Sequence, residues 1–443
     1  MINMLLLLLA SGSLKAVAQE KRALSLQDCI DYAIKNAAAA KNARLDIELQ
    51  KAQNAEVSGQ ALPQINAEGQ YSRFIDVQQT FLPSTFLNPN APFEWIPFGF
   101  SPKQSSIGSI KASQMLFNGS LFVALQARNT LLQLAQQQAD MKIEDLRYNI
   151  QKAYAGLVIA GRQFEVTKSS LDLLRKSSSD TKIRYENGVI EKLDVDRMEV
   201  QVSNLASDSI GQANTINISE QMLKYIMGMD LNTPIALTDS FVFDNTADAR
   251  ALLMREEGYE NRLTYLVSMT SVKLQEYDLK RYRFEGLPTL SAFGSAGYNR
   301  SGDKITDLTN KPYPGFSMVG LNLNIPIFDG MQRRNRVKTA RLKLQKSQND
   351  LDNMRLTIDQ QTRSAKLNLS NSLERAENQK RTMQISNTVL DLTNRKYKEG
   401  VGSNQDVVQA QKDFLGAQAG YFTALLDVVN AQADLQKALG LLK

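Results

Sequence analysis

Two carboxylates, Asp194 and Asp406, stand at matching places in the chain, each a short step beyond a glycine (Gly188 and Gly400) that ends a long helix-forming stretch. An acidic side chain at a helix start interacts favourably with the exposed backbone N–H groups, by about 0.3–1 kcal/mol, so each has a structural task whatever else it does. Few other residues could do chemistry. The chain has no histidine, which excludes His-based triads, His general bases and His-ligated metals. Its single cysteine, Cys29, excludes an internal disulfide and any multi-cysteine metal site, and reads as a small packing residue on the first helix. The remaining carboxylates fall in helical seams and turns, with no paired-acid site and no glycine-rich phosphate loop. Neither an enzyme nor a cofactor is expected. Lys and Arg exceed Asp and Glu by 6 over 443 residues, and the excess is spread along the chain, so no nucleic-acid partner is implied.

The elements that must position these residues are marked by proline. All 11 prolines lie between Pro63 and Pro102, at Pro234, or between Pro288 and Pro326. Residues 103–233 and 327–443 contain none, and an interior proline costs a helix about 3 kcal/mol, so both stretches read as helical. Val337, Leu344, Leu351, Ile358 and Ala365 recur every seventh residue, with Ala340, Ser347, Met354 and Gln361 between them. That repeat winds helices into a left-handed coiled coil, and so small and polar a seam suits close packing among several helices.

The pattern occurs twice. Phe117-Asn118-Gly119 is answered by Phe328-Asp329-Gly330, 211 residues later. Tyr185 to Val189 is answered by Tyr397 to Val401 at an offset of 212, as are Asp194 by Asp406 and Gly228 by Gly440. Leu62-Pro63 and Leu287-Pro288 add a further pair of anchors. The chain reads as two tandem repeats of one supersecondary unit. Repeat 1 spans 19–228, with strands at about 64–75 and 105–117 and helices at about 25–60, 120–186 and 191–227. Repeat 2 spans 247–443, with strands at about 289–300 and 316–328 and helices at about 247–285, 331–398 and 404–438. A linker, 229–246, joins them. The longest helix would rise roughly 100 Å, and the leading and return helices together match it in length. Ahead of repeat 1, residues 1–18 read as a signal peptide: an apolar run from Met4 to Ala10, then Ala16-Val17-Ala18 at a cleavage site. No cysteine follows, so no lipid anchor is expected there, and no other stretch is apolar for the roughly 18–20 residues of a membrane-spanning helix.

The extended segments alternate. Ile65, Ala67, Gly69 and Tyr71 face one way and Gln64, Asn66, Glu68 and Gln70 the other; Val319, Leu321, Leu323, Ile325 and Ile327 alternate with Gly320, Asn322, Asn324 and Pro326. An ordinary half-buried sheet shows the same period. Four such strands in an exported chain otherwise made of long helices favour transmembrane β-strands with lipid on one face and water on the other. Four strands cannot close a barrel, and open edges are not tolerated in lipid, so closure requires several copies of the chain; periodicity does not fix how many. Residues 75–103 read as an exposed hairpin loop, whose Phe81, Phe86, Phe93, Trp95, Phe98 and Phe100 serve either the interface or loop packing.

With Leu24 to Ala33 (LSLQDCIDYA) at the start, the Leu-Pro anchors, the Phe-Asn/Asp-Gly corners, and the paired turns Arg184 to Gly188 with Asp194 and Lys396 to Gly400 with Asp406, the chain resembles the TolC family of outer-membrane efflux proteins. The resemblance covers nearly all of the mature chain. It implies a mainly α-helical fold with a transmembrane β-barrel, a homotrimer whose chains close a twelve-stranded barrel in outer-membrane lipid, and helices continuing it as a coiled-coil tunnel in the periplasm. A small mixed equatorial domain would lie near 229–250 and the C-terminus. The implied function is a passive exit duct for drugs and toxic small molecules, driven by an inner-membrane pump of the RND or ABC type through a periplasmic adaptor (a membrane fusion protein). Protein export by type I secretion and metal-ion efflux use the same duct in the family. A periplasmic coiled-coil scaffold or adaptor without a pore is a more distant rival, because adaptors carry one helical hairpin and this chain has two in register.

The resemblance also implies roles for residues. Tyr185, Asp194, Tyr397, Asp406 and Gln409 match the tunnel-entrance gate, where threefold symmetry would make a ring of carboxylates that concentrates cations. Gly188, Val189, Gly400, Val401, Gly402 and Ser403 match the hairpin tips that meet the adaptor. Two positions depart from the family pattern: Gln409 stands where a second Asp is common, and Gly402 where some members carry an arginine that latches the entrance to the tyrosine. A strong cation ring and a Tyr-Arg latch of the family kind are therefore not expected.

Overall fold

The computed structural model describes residues 22–238, 246–256, 258–310 and 314–442. The expected signal peptide, 1–18, and part of the linker lie outside them. In chain order the elements are β1 (Arg22–Leu24), α1 (Leu26–Asn36), α2 (Ala38–Gly59), β2 (Gln64–Arg73), β3 (Gln79–Pro83), α3 (Ser84–Leu87), β4 (Trp95–Gly99), β5 (Gln104–Phe117), α4 (Gly119–Glu186) and α5 (Lys192–Met227). There follow β6 (Ile235–Leu237), α6 (Thr246–Leu253), a 3₁₀ turn (Tyr259–Asn261), α7 (Leu263–Phe284), β7 (Thr289–Gly302), α8 (Asp307–Asn310), β8 (Gly315–Asn324), α9 (Gln332–Lys398) and α10 (Asn404–Ala438). The proline-free stretches hold the long helices, α4 and α5 in the first and α9 and α10 in the second, but the first begins with the strand β5.

The chain divides into two compact units, one within Ile47–Gln136 and Val267–Asp352, the other within Met1–Asp46, Gln137–Leu266 and Asn353–Lys443. The first holds a four-stranded antiparallel sheet in the order β2-β5-β7-β8. Its register aligns the apolar sets of neighbouring strands. Ile65 lies across from Ala112, Ala112 from Gly294 and Gly294 from Val319; Ala67, Ile110 and Ala296 form the next row, which ends on Ser317 of β8. Asn66, Glu68, Lys111 and Ser113 share the opposite face, where Lys111 and Glu68 form an ion pair. A slip of one residue in any strand would mix the two faces. β2 and β8 are the sheet's edges. β8 is shorter than the alternation suggested: its ladder ends at Asn324, two residues before Pro326, which has no N–H to donate. At the strand-to-helix corners the Asn/Asp has a capping task, since Asn118 Oδ1 accepts the Leu121 N–H (3.1 Å) and Asp329 Oδ2 the Arg333 N–H (2.8 Å). Residues 75–103 are more ordered than a bare loop: β3 and β4 pair antiparallel, and Phe93–Trp95 and Phe98–Phe100 meet edge to face.

In the other unit the core is built where helices converge. Leu24, Cys29, Ala33, Ile150, Tyr154, Leu223 and Met227 pack together, which accounts for Cys29 as a buried packing residue. β1 pairs in parallel with β6, a contact of three residues a side that periodicity could not reveal. Ala249 and Leu252 of α6 pack on Leu369, Leu373, Ala424 and Leu435.

The two expected leading helices are each interrupted. The first breaks at Ala37 (φ −60°, ψ 138°) between α1 and α2, and the second divides into α6, the 3₁₀ turn and α7. Both breaks receive a glycine. Gly228 (φ +69°) caps α5 with its Cα so close to the Ala37 break that a Cβ would come within 2.9 Å of backbone; a Cβ at Gly440 (φ +71°) would lie 3.0 Å from the Asn261 carbonyl oxygen in the second break. The break in the alanine-rich first helix is where Gly228, from far along the chain, packs against it.

Candidate functional site at the helix-hairpin turns

The hairpin turns are built by one device used twice. Gly188 N–H donates to the Tyr185 carbonyl and Val189 N–H to that of Arg184 (2.8 and 2.9 Å); Gly400 and Val401 do the same to Tyr397 and Lys396 (3.2 and 3.0 Å). This is the Schellman helix ending, which needs a left-handed residue, and Gly188 (φ +75°) and Gly400 (φ +82°) supply it. Neither glycine has a neighbour that a Cβ would touch, so its requirement is the backbone conformation alone. Val189 and Val401 stand out from the turns, 68% and 77% exposed.

Beyond the turns the return helices start differently. Ser403 caps α10 through a capping box: its Oγ accepts the Asp406 N–H at 3.1 Å, and the Asp406 carboxylate accepts the Ser403 N–H at 3.4 Å. α5 lacks such a cap. The Asp194 carboxylate instead meets Asn404, the first residue of α10, whose Nδ2 donates to Asp194 O (3.0 Å) and Oδ1 (3.3 Å). Arg197 lies 3.9 Å away on the same helix. Asn404 is 4% exposed, and its own Oδ1 has no hydrogen-bond partner among the described residues. Under this link Leu171, Leu174, Met198 and Leu205 pack with Val408 and Leu415, so apolar contact joins the two hairpins behind the polar one.

A second link crosses at the turns themselves. The Arg184 guanidinium lies 5.0 Å from the Tyr397 ring centre, and its NH1 reaches the Tyr397 carbonyl at 3.5 Å. The second turn, which carries Gly402, is thus met at Tyr397 by an arginine of the first. A side chain at Gly402 would be crowded, since a Cβ there would lie 3.0 Å from the Tyr397 nitrogen.

Five sequence-nominated residues therefore fall together: Asp194 and Tyr397 in the two links, Asp406 and Ser403 in a cap, Gly402 over Tyr397. Tyr185 is exposed and enters the turn through its carbonyl. Gln409 stands apart, donating to Asp413 on its own helix at 2.8 Å. Sequence reasoning missed Asn404 and the role of Arg184. A basic residue precedes each turn at the matching offset, Arg184 and Lys396, which was a usable signal; Asn404 had none, because its counterpart is Lys192.

The chain combines an amphipathic four-stranded sheet with two long helix hairpins that end in paired turns. Solved structures share that fold: the outer membrane protein VceC from Vibrio cholerae (TM-score 0.70, 14% identity, covering 94% of this chain and 96% of that one), and the Campylobacter jejuni CmeC outer membrane channel (TM-score 0.71, 17% identity, 94% and 85%). Among characterised relatives, outer membrane protein TolC of Vibrio cholerae is 22% identical over 77% of this chain and 78% of its own length. Alkaline protease secretion protein AprF of Pseudomonas aeruginosa is 21% identical over 76% and 70%. The chain belongs to the outer membrane efflux protein family, whose model matches residues 29–229 and 270–441. It is an outer-membrane protein that extends into the periplasm.

Proposed function

We propose that three copies of this chain join their sheets, β8 of one to β2 of the next, into a twelve-stranded barrel, and that the assembly is a passive exit duct for small toxic molecules. The observation that carries this reading is the sheet register, which gathers apolar residues on one face across all four strands while leaving two edges to be paired. Lipid accepts no open edge, so copies must satisfy each other. The two tandem repeats each contribute a strand pair and a hairpin, and the residues near β6 and the C-terminus form the equatorial part. The hairpin turns are the entrance. Asp194 and Tyr397 hold it closed through Asn404 and Arg184, and Gly188, Val189, Gly400, Val401, Gly402 and Ser403 present its outer surface to a periplasmic adaptor that couples to an inner-membrane pump of the RND or ABC type. Asp406 from three chains would place carboxylates around the opening, and these favour cations.

The experiment is a photoreactive residue at Val401, activated in intact envelopes, with identification of what is attached. Capture of an adaptor, followed by recovery of a proton-driven or ATP-driven pump with it, supports the duct. Capture of no envelope partner by a chain that runs as a monomer overturns it. Protein export is a second reading, favoured by the similarity to the secretion protein AprF; recovery of an ATP-driven pump together with a polypeptide cargo would select it.

A further inference from the structure

Positive charge gathers at one place in the unit that holds the four-stranded sheet. Arg283, from the last turn of α7, shares a groove of about 740 Å³ with Arg333, Arg334, Lys338 and Arg341 from the start of α9. Arg334, Lys338 and Arg341 follow at i, i+4 and i+7 and so occupy one helix face. None of the five cationic groups has an ion-pair partner among the described residues, whereas Arg336 on the same helix is bonded to Glu285 at 2.6 Å. The groove's own carboxylate, Asp329, accepts a backbone N–H of Arg333 at 2.8 Å. The other wall is apolar and carries Ile327 and Phe328.

That apolar wall follows, past the end of β8 at Asn324, on the apolar row of Val319, Leu321 and Leu323. Val319, Leu321, Leu323, Ile325 and Ile327 are all exposed at every second position. At about 3.3 Å per residue they extend roughly 26 Å along the chain, which at a strand tilt of about 40° covers roughly 20 Å of the apolar band, about 25 Å tall, of an outer-membrane barrel. The cations begin where the row ends, on the side from which the helices extend into the periplasm, and that is the depth of phospholipid phosphates in the periplasmic leaflet. Guanidinium groups match phosphate oxygens in pairs, and unneutralised arginines beside lipid-facing apolar residues complement a group that is anionic at one end and apolar at the other.

We propose that this groove binds the headgroup of an anionic phospholipid of the periplasmic leaflet, with its acyl chains along Ile325 and Ile327. The inference rests on the reading of the sheet as the membrane-spanning part. It is tested with the full chain reconstituted into vesicles of phosphatidylethanolamine with added phosphatidylglycerol, extracted in mild detergent, and assayed for retained lipid by native mass spectrometry. The wild-type protein is expected to retain phosphatidylglycerol preferentially. The triple variant Arg334→Gln, Lys338→Gln, Arg341→Gln is expected to lose that preference by roughly fivefold for each charge removed, while Arg334→Lys alone keeps most of it. Equal retention of both lipids, or an unchanged preference in the triple variant, overturns the headgroup site and leaves the membrane reading of the sheet intact. Failure of the wild-type chain to insert into any vesicle overturns both. Dissociation of the triple variant into single chains with lipid preference unchanged would show that the face meets a second copy, and the proposal would be wrong.

Discussion

The Arg184 side chain of the first hairpin covers the Tyr397 ring of the second, with the guanidinium carbon 5.0 Å from the ring centre. A cation–π contact at a half-exposed site is worth about 0.5–1 kcal/mol, enough to shift a two-state equilibrium by two- to fivefold. If the contact holds the entrance closed, Arg184→Gln should raise the open fraction in planar-bilayer recordings by that factor. Tyr397→Leu should do the same, and the double variant should add little to either. Additive effects would show that the two residues act separately.

Asn404 makes the second link, and its burial raises the stakes. Removing a buried donor leaves the Asp194 carbonyl and carboxylate without it, at a cost of about 1–3 kcal/mol. Asn404→Ala should therefore speed amide hydrogen exchange at the start of α5 and α10 by one to two orders of magnitude. Asn404→Asp should do more, because it sets a carboxylate against Asp194. Unchanged exchange in both variants would remove Asn404 from the link.

These two links show what a sequence conveys and what it withholds. The turns were legible because a Schellman ending needs glycine, and Gly188 and Gly400 recur at one offset with their flanking residues. The strands were legible because period two survives in any sheet, but the alignment of Ile65, Ala112, Gly294 and Val319 into one face is a property of register. The Ala37 break was hidden: four consecutive alanines are the best helix formers, and the break falls where Gly228, from elsewhere in the chain, packs against them. Asn404 was hidden for the same reason, since its partner Asp194 is 210 residues away.

The glycines allow a ranking by cause. At Gly400 a methyl group meets nothing, so Gly400→Ala carries only the left-handed backbone penalty of about 1–2 kcal/mol. At Gly228 the same penalty is joined by a collision with the Ala37 backbone at 2.9 Å. Gly228→Ala should therefore lower the denaturation midpoint more than Gly400→Ala, and Gly228→Asn should recover little because the collision remains. Equal effects at the two sites would mean that the fold relaxes around Ala37.

Acid sensitivity is expected at the first helix. Asp28 closes a capping box with Ser25, and the hydrogen bonds from the Ser25 hydroxyl and backbone N–H hold its carboxyl below the ordinary value of 3.8. A lowered carboxyl contributes stability above its unfolded value, and the contribution fades as pH falls through the folded one. Ser25→Ala should weaken protection of α1 amides at neutral pH, with the difference from wild type shrinking below about 3.8. A difference that persists undiminished in acid would assign the effect to helix propensity instead.

Arg262 closes the fold at the second break. Its NH1 donates to the Ala438 carbonyl at 2.6 Å and its NH2 to Gln361 at 3.3 Å, so one buried side chain satisfies the end of α10 and reaches α9. Burial pushes the guanidinium downward from its ordinary value while the Glu144 charge opposes that shift, and an arginine stays protonated under such pressure. Arg262→Met takes the charged donor from the Ala438 carbonyl and leaves it the longer hydrogen bond from Thr362 Oγ1 (3.4 Å), at a cost of up to about 1.5–3 kcal/mol. Arg262→Lys should recover only part, because an ammonium cannot reproduce the planar fork that serves both acceptors. Hydrogen exchange at the α10 C-terminus measures both, and bilayer conductance is expected to stay at its wild-type value. Exchange unaltered by Arg262→Met would show that Thr362 or water serves the Ala438 carbonyl in place of the guanidinium.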